Sequence, residues 1–314
     1  MNAYQKFNQL ADQVTNEVIA QLEQGKVLWQ KPWSPYGLPK NHFSGRHYEG
    51  FNAFYLNYIT EKNSFTMPYF LTYKQAQELG GHVRKGEEGT QVIYWKIYEE
   101  KAGEHTGEQA EEENDRHGIK FVPFIWTVFN IDQVEGIDYK LPATPEKTGQ
   151  QIIEACQRVV DHYPLPRPQI LHGGSQAYYA PASDRVQMPE LKKFVSSQAY
   201  HATLFHELIH STGHPSRLNR FTEEEKASRF GDENYSKEEL TAEMGASFLC
   251  AFTGIKEAVF ENSVAYLQGW ASKFKDDKTM IIYAGARAFK AANYILDLKT
   301  QENKDALPAV AIAA

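Results

Sequence analysis

Apolar residues at Phe7, Leu10, Val14, Val18, Ile19 and Leu22 recur in three- and four-residue steps, so residues 3–24 read as an amphipathic helix closed by Gly25. The periodicity then stops. Residues 27–52 (VLWQKPWSPYGLPKNHFSGRHYEGFN) mix Pro, Gly and Asn with aromatics, the pattern of a structured loop. Short helices are expected at 51–59 and 73–79. Residues 80–99 (GGHVRKGEEGTQVIYWKIYE) read as a glycine-punctuated turn feeding a strand, with 121–131 (FVPFIWTVFNI) as a second strand. Between them, 101–117 carries six acids against Lys101 and Arg116 and is expected to be a solvated hairpin loop. Short helices around a small antiparallel sheet predict an α+β domain over residues 1–136. A Pro- and Thr-bearing stretch at 137–148 reads as a linker, and 149–314 as a second domain. Helices are expected there at 150–162, 197–212, 237–253 and 279–298. Segments 177–181 and 185–189 form a hairpin around an Ala-Ser-Asp turn. The second of these strands is expected to be an edge, either able to pair with an extended peptide or simply half of a two-stranded ribbon.

Composition adds limits to this pattern. A chain of 314 residues with 42% hydrophobic and 23% charged content is long enough for two cores, which excludes wholesale disorder. No apolar run approaches the roughly 18 residues that span a bilayer, and the start of the chain lacks the features of a secretory signal. Cys156 and Cys250 are too few for a disulfide framework or a thiolate metal cage. A cytoplasmic protein with no membrane partner is expected. The net charge of −7 gives no basic footprint for nucleic acid, yet residues 1–100 are balanced, with ten Lys/Arg against ten Asp/Glu. Of 41 aromatic residues, 18 fall in that same hundred.

The sharpest chemical signal is His206-Glu207-Leu208-Ile209-His210. On a helix, positions i and i+4 share a face, so both imidazoles can converge on one ion while Glu207 stands beside the ion's water as general base. Ser197 is a possible N-cap, and Gly213 with Pro215 can stop the helix. A catalytic zinc takes three protein ligands and keeps a position open. Glu239 and Glu243, four apart on a second helix, supply the acids. Glu239 is the favoured third ligand, with Glu243 accepting the free N–H of a ligand histidine or serving as the alternative ligand. Against this, Ser236-x-x-Glu239 also has the form of a capping box, which would use up Glu239 at a helix start. His214 is a rival ligand if the helix continues through Gly213, and otherwise lines the site or binds backbone. One Zn²⁺ per chain is expected.

In the N-terminal third, Trp29, Trp33, Tyr48 and neighbouring rings interleave with Lys31, Lys40 and Arg46. Single-stranded nucleic acid is bound by this combination, in which rings stack bases and cations follow phosphates. Arg84 and Lys85, in a turn before a glycine, can add phosphate contacts. The plainer alternative makes most of these rings the core of a small domain. Phe54 and Phe70 are assigned to that core, and Trp29, Trp33, Arg46 and Tyr48 to the binding surface.

Five blocks carry a resemblance: LWQKPW (28–33), PKNHFSGRHYEGFN (39–52), LTYKQAQELGGHVRKGEEGTQVIYW (71–95), FHELIHSTGHPSRLNR (205–220) and EELTAEMGASFLCAF (238–252). In this order they resemble the ArdC antirestriction proteins of conjugative plasmids over nearly the whole chain. The resemblance implies an N-terminal domain that binds single-stranded DNA, a C-terminal zincin-like metallopeptidase fold, and protection of incoming plasmid DNA from host restriction. It also implies that His206 and His210 hold the metal, that Glu207 is the base, and that Glu239 and Glu243 are an acidic pair beside them. The alternative reading is a DNA-recruited zinc metallopeptidase cleaving a host protein such as a restriction component, which nothing in the sequence names, or a zincin fold that keeps its metal structurally. The acidic stretch 101–117 lies outside the matching blocks.

Overall fold

The structure, a computed structural model, describes residues 1–30, 33–99, 119–141, 143, 146–221, 233–256 and 264–298. The expected loop at 101–117 and the candidate Lys31 lie outside them. Helix α1 (Ala3–Glu23) begins with a capping box, in which the side chains of Asn2 and Gln5 each accept from the other's backbone N–H. Its buried stripe includes Phe7, Leu10, Val14, Val18, Ile19 and Leu22, as the spacing predicts. Then come β1 (Lys40–Asn41), α2 (Phe51–Lys62), β2 (Tyr69–Thr72), α3 (Tyr73–Glu78), β3 (His82–Val83), β4 (Thr90–Glu99), β5 (Ile119–Asn130) and β6 (Val134–Glu135).

Strands β4 and β5 pair antiparallel from Thr90↔Val128 to Glu99↔Ile119. The sheet order is β1-β2-β5-β4, with β1 parallel to β2, while β3 and β6 form a separate two-stranded ribbon. The pattern did not reveal β2, because three consecutive residues of it are buried and no alternation shows. Part of the expected linker belongs to this half. Ile137 and Tyr139 pack on a small core of Met67, Tyr69, Leu71, Ala76, Ile131 and Val134, and the Tyr139 O–H donates to Asp132.

The second half contains α4 (Gly149–Asp161), β7 (Gln169–His172), β8 (Tyr178–Ala180), β9 (Arg185–Met188), α5 (Ser197–Ser211), α6 (Glu233–Thr253), α7 (Val264–Asp276) and α8 (Met280–Ile295). The expected hairpin is β8–β9, turned by Asp184 in the left-handed region at φ 49°. The expectation that the second strand is an edge is overturned. β7 pairs parallel along its other side, giving the order β7-β9-β8, so β9 is central and has no side open to a peptide. Buried Arg217 locks this sheet to the end of α5, bonding Asp184, the Tyr179 hydroxyl and the Ser211 carbonyl. Burial works against the Asp184 charge, but Arg217 and Tyr179 bond it and keep its carboxyl below the usual range. Helix α7 was not anticipated, although Trp270, Ala271 and Phe274 are its buried positions and have helical spacing.

One hydrophobic cluster runs through both halves, from Phe7 and Val14 through Phe54 to Phe248 and Phe289. The rings of Phe54 and Phe248 lie 4.3 Å apart, and those of Phe248 and Phe289 5.1 Å apart. Helix α8 also approaches the start of α2 closely, where a Cβ on Gly285 would sit 2.9 Å from Phe51 Cα. The fold is α+β, its two halves packed on a shared core.

Candidate metal centre

Helix α5 is capped by Ser196, whose hydroxyl accepts from the Ala199 N–H, rather than by Ser197. It carries His206, Glu207 and His210, with Leu204, Phe205, Leu208 and Ile209 buried on its inner side. Helix α6 crosses it at Gly245, where an added Cβ would lie 2.7–2.9 Å from three carbons of Ile209. This close approach brings Glu239 to the histidines. The two Nε2 atoms are 3.1 Å apart, Glu239 Oε2 is 3.4 Å from His206 Nε2, and Glu239 Oε1 is 3.3 Å from His210 Nε2. His206, His210 and Glu239 form the cluster of potential metal ligands among the described residues, their ligand atoms all within 4.8 Å of one another. Glu207 is 7% exposed, one step along the helix between the two histidines. The capping alternative for Glu239 does not apply. Ser236 lies inside α6, which is already helical at Glu233, and is a buried residue whose hydroxyl accepts from Lys273.

The sequence placed the partner of the ligand histidine at Glu243, and the structure puts Glu238 there instead. His210 Nδ1 lies 2.9 Å from Glu238 Oε1, and Arg220 grips the same carboxylate through Nε and Nη2 at 3.1 and 2.6 Å. Adjacent helix residues are turned about 100° apart, a difference that spacing rules cannot resolve within a Glu-Glu pair. Burial disfavours charge on Glu238, yet Arg220 and His210 together hold its carboxyl below the ordinary range. Burial likewise opposes protonation of His210, but attraction to Glu239 and the bond to Glu238 prevail and raise its pKa well above the usual value. Glu239 is held low by the same two histidines against the effect of burial.

Glu243 has other partners than the ligand histidines. Its Oε2 accepts from Trp29 Nε1 at 2.7 Å and from the Tyr266 hydroxyl, and burial pushes its carboxyl up despite both donors. His214 sits in the turn after α5, where its Nδ1 accepts from the Ser216 backbone N–H at 3.2 Å, and it is not part of the ligand cluster. Gly213 leaves room for the Phe221 ring, which would lie 2.3 Å from an added Cβ.

Comparison with known proteins decides the family. A zincin-like metallopeptidase family matches residues 166–287, and the N-terminal domain of anti-restriction factor ArdC matches residues 8–129. Crystal structures of the antirestriction ArdC protein from plasmid R388 align over most of both chains. The metal-free form is 34% identical, with a TM-score of 0.67, covering 92% of this chain and 97% of that one. The Mn(II)-bound form is 33% identical, with a TM-score of 0.69, covering 94% and 99%. The chain belongs to the ArdC family. An uncharacterised protein, y4eC, of Sinorhizobium fredii (strain NBRC 101917 / NGR234) is 31% identical over 90% of each chain. A DNA primase TraC of Escherichia coli is 34% identical over 304 residues, which are 93% of this chain and 27% of the primase. A second TraC matches at 34% over 20% of its length, so the chain spans about a quarter of these two relatives or less.

Within the ArdC N-terminal domain, several residues assigned to a DNA surface are engaged in packing. Trp29 is fully buried, edge-on to Trp270 and Phe274, and has no face open to a base. Trp33 is half-buried between Phe54 and Phe248, with centroids 5.1 and 5.3 Å away. Half-buried Tyr48 stands edge-on to Phe70. Phe54 and Phe70 are core residues, as expected. Lys40 Nζ lies 4.1 Å over the Tyr69 ring. Arg46 has Nη1 buried without a hydrogen-bond partner among the described residues, and Glu49 Oε2 is in the same condition. Arg84 and Lys85 are exposed, with Arg84 bonded to Glu87. Exposed rings instead occur on β5, at Phe124 (37%) and Trp126 (44%). Alternation along β5 could have pointed to them, since 122, 124 and 126 share one face.

Proposed function

We propose that this chain is an antirestriction protein that binds single-stranded DNA through its N-terminal half, protects incoming plasmid DNA in the cytoplasm of a recipient cell, and carries a peptidase-type metal site at His206, His210 and Glu239. The observation that carries the metal reading is the donor cluster. Bonds of about 2.0–2.1 Å at tetrahedral angles place ligand atoms roughly 3.3 Å apart; the two imidazole Nε2 atoms are 3.1 Å apart, and the Glu239 carboxylate faces both, with Oε1 3.3 Å from His210 and Oε2 3.4 Å from His206. Two imidazole nitrogens and one carboxylate suit Zn²⁺, one per chain, and leave a position open. The Mn(II)-bound relative supports a divalent ion in the same fold.

When bound, such an ion acts as a Lewis acid toward a carbonyl and lowers the pKa of water. The residues of the chain do the rest. Glu238 fixes the ring of His210 through Nδ1, so that Nε2 points to His206 and Glu239. Glu207 takes a proton from the attacking water and passes it to the leaving amine. The carboxamide Glu207→Gln cannot hold that proton, while the three ligands stay in place.

For DNA, the β4–β5 ribbon supplies what Trp29, Trp33 and Tyr48 do not. Tyr94 pairs directly with Phe124, Trp126 follows on the same face, and exposed Lys96 lies two residues from Tyr94. Ring–base stacking contributes roughly 1–3 kcal/mol per base, so two such rings give substantial affinity. Arg84 and Lys85 remain available as phosphate contacts. The similarity to proteins named DNA primase is in keeping with a DNA-directed role. The double variant F124A/W126A is expected to bind single-stranded DNA at least tenfold more weakly, and wild-type binding is expected to weaken with salt. Equal wild-type affinity for duplex would sink single-strand specificity.

The deciding experiment is transfer of restriction-sensitive DNA by conjugation into cells carrying wild type or Glu207→Gln. Persistent protection assigns the role to DNA binding. Lost protection assigns it to hydrolysis, and the second reading then applies, a DNA-recruited zinc peptidase cleaving a host protein such as a restriction component. Unfolding on chelation with no hydrolysis would make the metal structural.

A further inference from the structure

Glu243 is a buried acid that the chemistry above does not use, and Trp29 heads the loop block whose ring the DNA reading cannot use. The two are bonded to each other. Trp29 Nε1–H donates to Glu243 Oε2 at 2.7 Å, and the Tyr266 hydroxyl donates to the same oxygen. Gln30 Nε2 reaches that hydroxyl at 3.3 Å. One turn further along α6, Trp33 Nε1–H donates to the carbonyl and hydroxyl of Ser247 at 3.0 and 3.2 Å. Trp29 and Trp33 therefore grip α6 at two successive turns, directly beyond Glu239. Glu243 is one turn from Glu239 and close enough for the charges of His206 and Glu239 to act on it.

We propose that Trp29 is a positioning residue for the metal centre, acting through Glu243: its indole N–H holds an outer carboxylate beside His206 and Glu239, so the N-terminal half completes the site in the C-terminal half. A carboxylate held one helical turn from Glu239 adds to the field that favours a dication, and a charge-assisted bond from an indole fixes it better than water would. The bond crosses 214 positions of sequence, so the shared core is also the means by which one half sets the other's metal affinity. The inference rests on the metal reading of His206, His210 and Glu239.

The test is calorimetric titration of full-length protein with Mn²⁺ alone at pH 8, with thermal melts of each metal-free variant to verify folding. Trp29→Phe keeps most of the ring packing and removes the donor. It is expected to weaken Mn²⁺ binding about tenfold or more, in the range that outer hydrogen-bond partners of metal sites exert. Glu243→Gln should weaken it similarly, and W29F/E243Q should be no weaker than E243Q alone, because Trp29 acts only through that carboxylate. Trp33→Phe, which loses its bonds to Ser247, should bind as wild type and show any effect in the melt. If W29F does not fold, Tyr266→Phe removes the other donor to the same oxygen and carries the same expectation. Wild-type affinity in W29F, or losses that add fully in the double variant, would overturn the proposal. Failure of wild type itself to bind Mn²⁺ would remove the metal reading, and the proposal with it.

Discussion

Glu49 shows at a single residue how burial sets a pH response. Its carboxyl lies at the N-terminus of α2 with Oε2 buried and unbonded among the described residues. Burial pushes it up to about 7, with the Arg46 charge pulling the other way. An acid that titrates higher in the folded state than in the unfolded chain binds more protons when folded between the two values, so stability falls as pH rises from about 4.5 to about 7. Above both values the cost is up to about 3 kcal/mol. Glu49→Gln should therefore be more stable than wild type in urea at pH 8 and nearly equal at pH 4.5. Equal stability at both would show that the carboxyl is solvated. Glu238 makes the opposite case, a buried charge with two partners. Glu238→Gln should weaken Mn²⁺ binding 10–100-fold through the freed His210 ring. It should also cost about 3–5 kcal/mol, because Arg220 is stranded. Adding Arg220→Met should recover stability but not affinity, as urea unfolding and calorimetry can separate. At this scale the shared face of His206 and His210 was legible in the sequence, because four-residue spacing on a helix is a fixed geometric statement, and Glu239, which clusters with them, was offered by residue type. The sequence did not separate Glu238 from Glu243, because their partners Arg220, Trp29 and Tyr266 come from other elements.

Helices α5 and α6 turn those residues into a site only because they touch at Gly245. Ala in place of a helical Gly ordinarily gains about 1 kcal/mol of propensity. Here the new methyl meets Ile209 Cδ1, Cγ1 and Cγ2 at 2.7, 2.8 and 2.9 Å, so the branched side chain as a whole has to move. Gly245→Ala is expected to lose about 1–3 kcal/mol net. It should also lower Mn²⁺ affinity, since Glu239 moves away from the histidines with its helix. A stabilised variant would mean that the two helices can part without consequence. Nothing in the pattern points to this contact, because Gly245 lies inside an ordinary helical run. Elements with one buried face, such as α1 and the β4–β5 pair, were legible from period alone. β9 was not placed correctly, because its register beside β7 joins segments that a local pattern cannot relate. The loop around Trp29 and Trp33 was misassigned for a similar reason. Aromatic residues near cations look alike whether they stack on bases or on Phe248, and only α6 distinguishes the two.

The two halves share one core, and this makes a claim about the whole molecule. If the cluster from Phe7 to Phe289 is continuous, neither half can unfold and leave the other's packing intact. Four of the five tryptophans report from this contact region or its margins: Trp29 and Trp33 against α7 and α6, Trp95 stacked on Tyr283 of α8, and Trp270 against Trp29. Urea unfolding of the metal-free protein should therefore give coincident transitions by tryptophan fluorescence and far-ultraviolet circular dichroism, the signature of a two-state change. A perturbation at the seam sharpens the test. At Gly285 an added Cβ would lie 2.9 Å from Phe51 Cα and 3.0 Å from Phe51 N, backbone atoms that cannot rotate away. Gly285→Ala should force α8 off the start of α2 and lower stability by about 1–3 kcal/mol. Because the strain falls between the halves, both signals should shift by the same amount and stay superimposed. A variant in which the fluorescence transition moves ahead while the helical signal holds would mean that the halves fold as separate units. In that case the indole bond to Glu243 would break with the seam, and metal affinity would fall before the metal-binding half lost its helices.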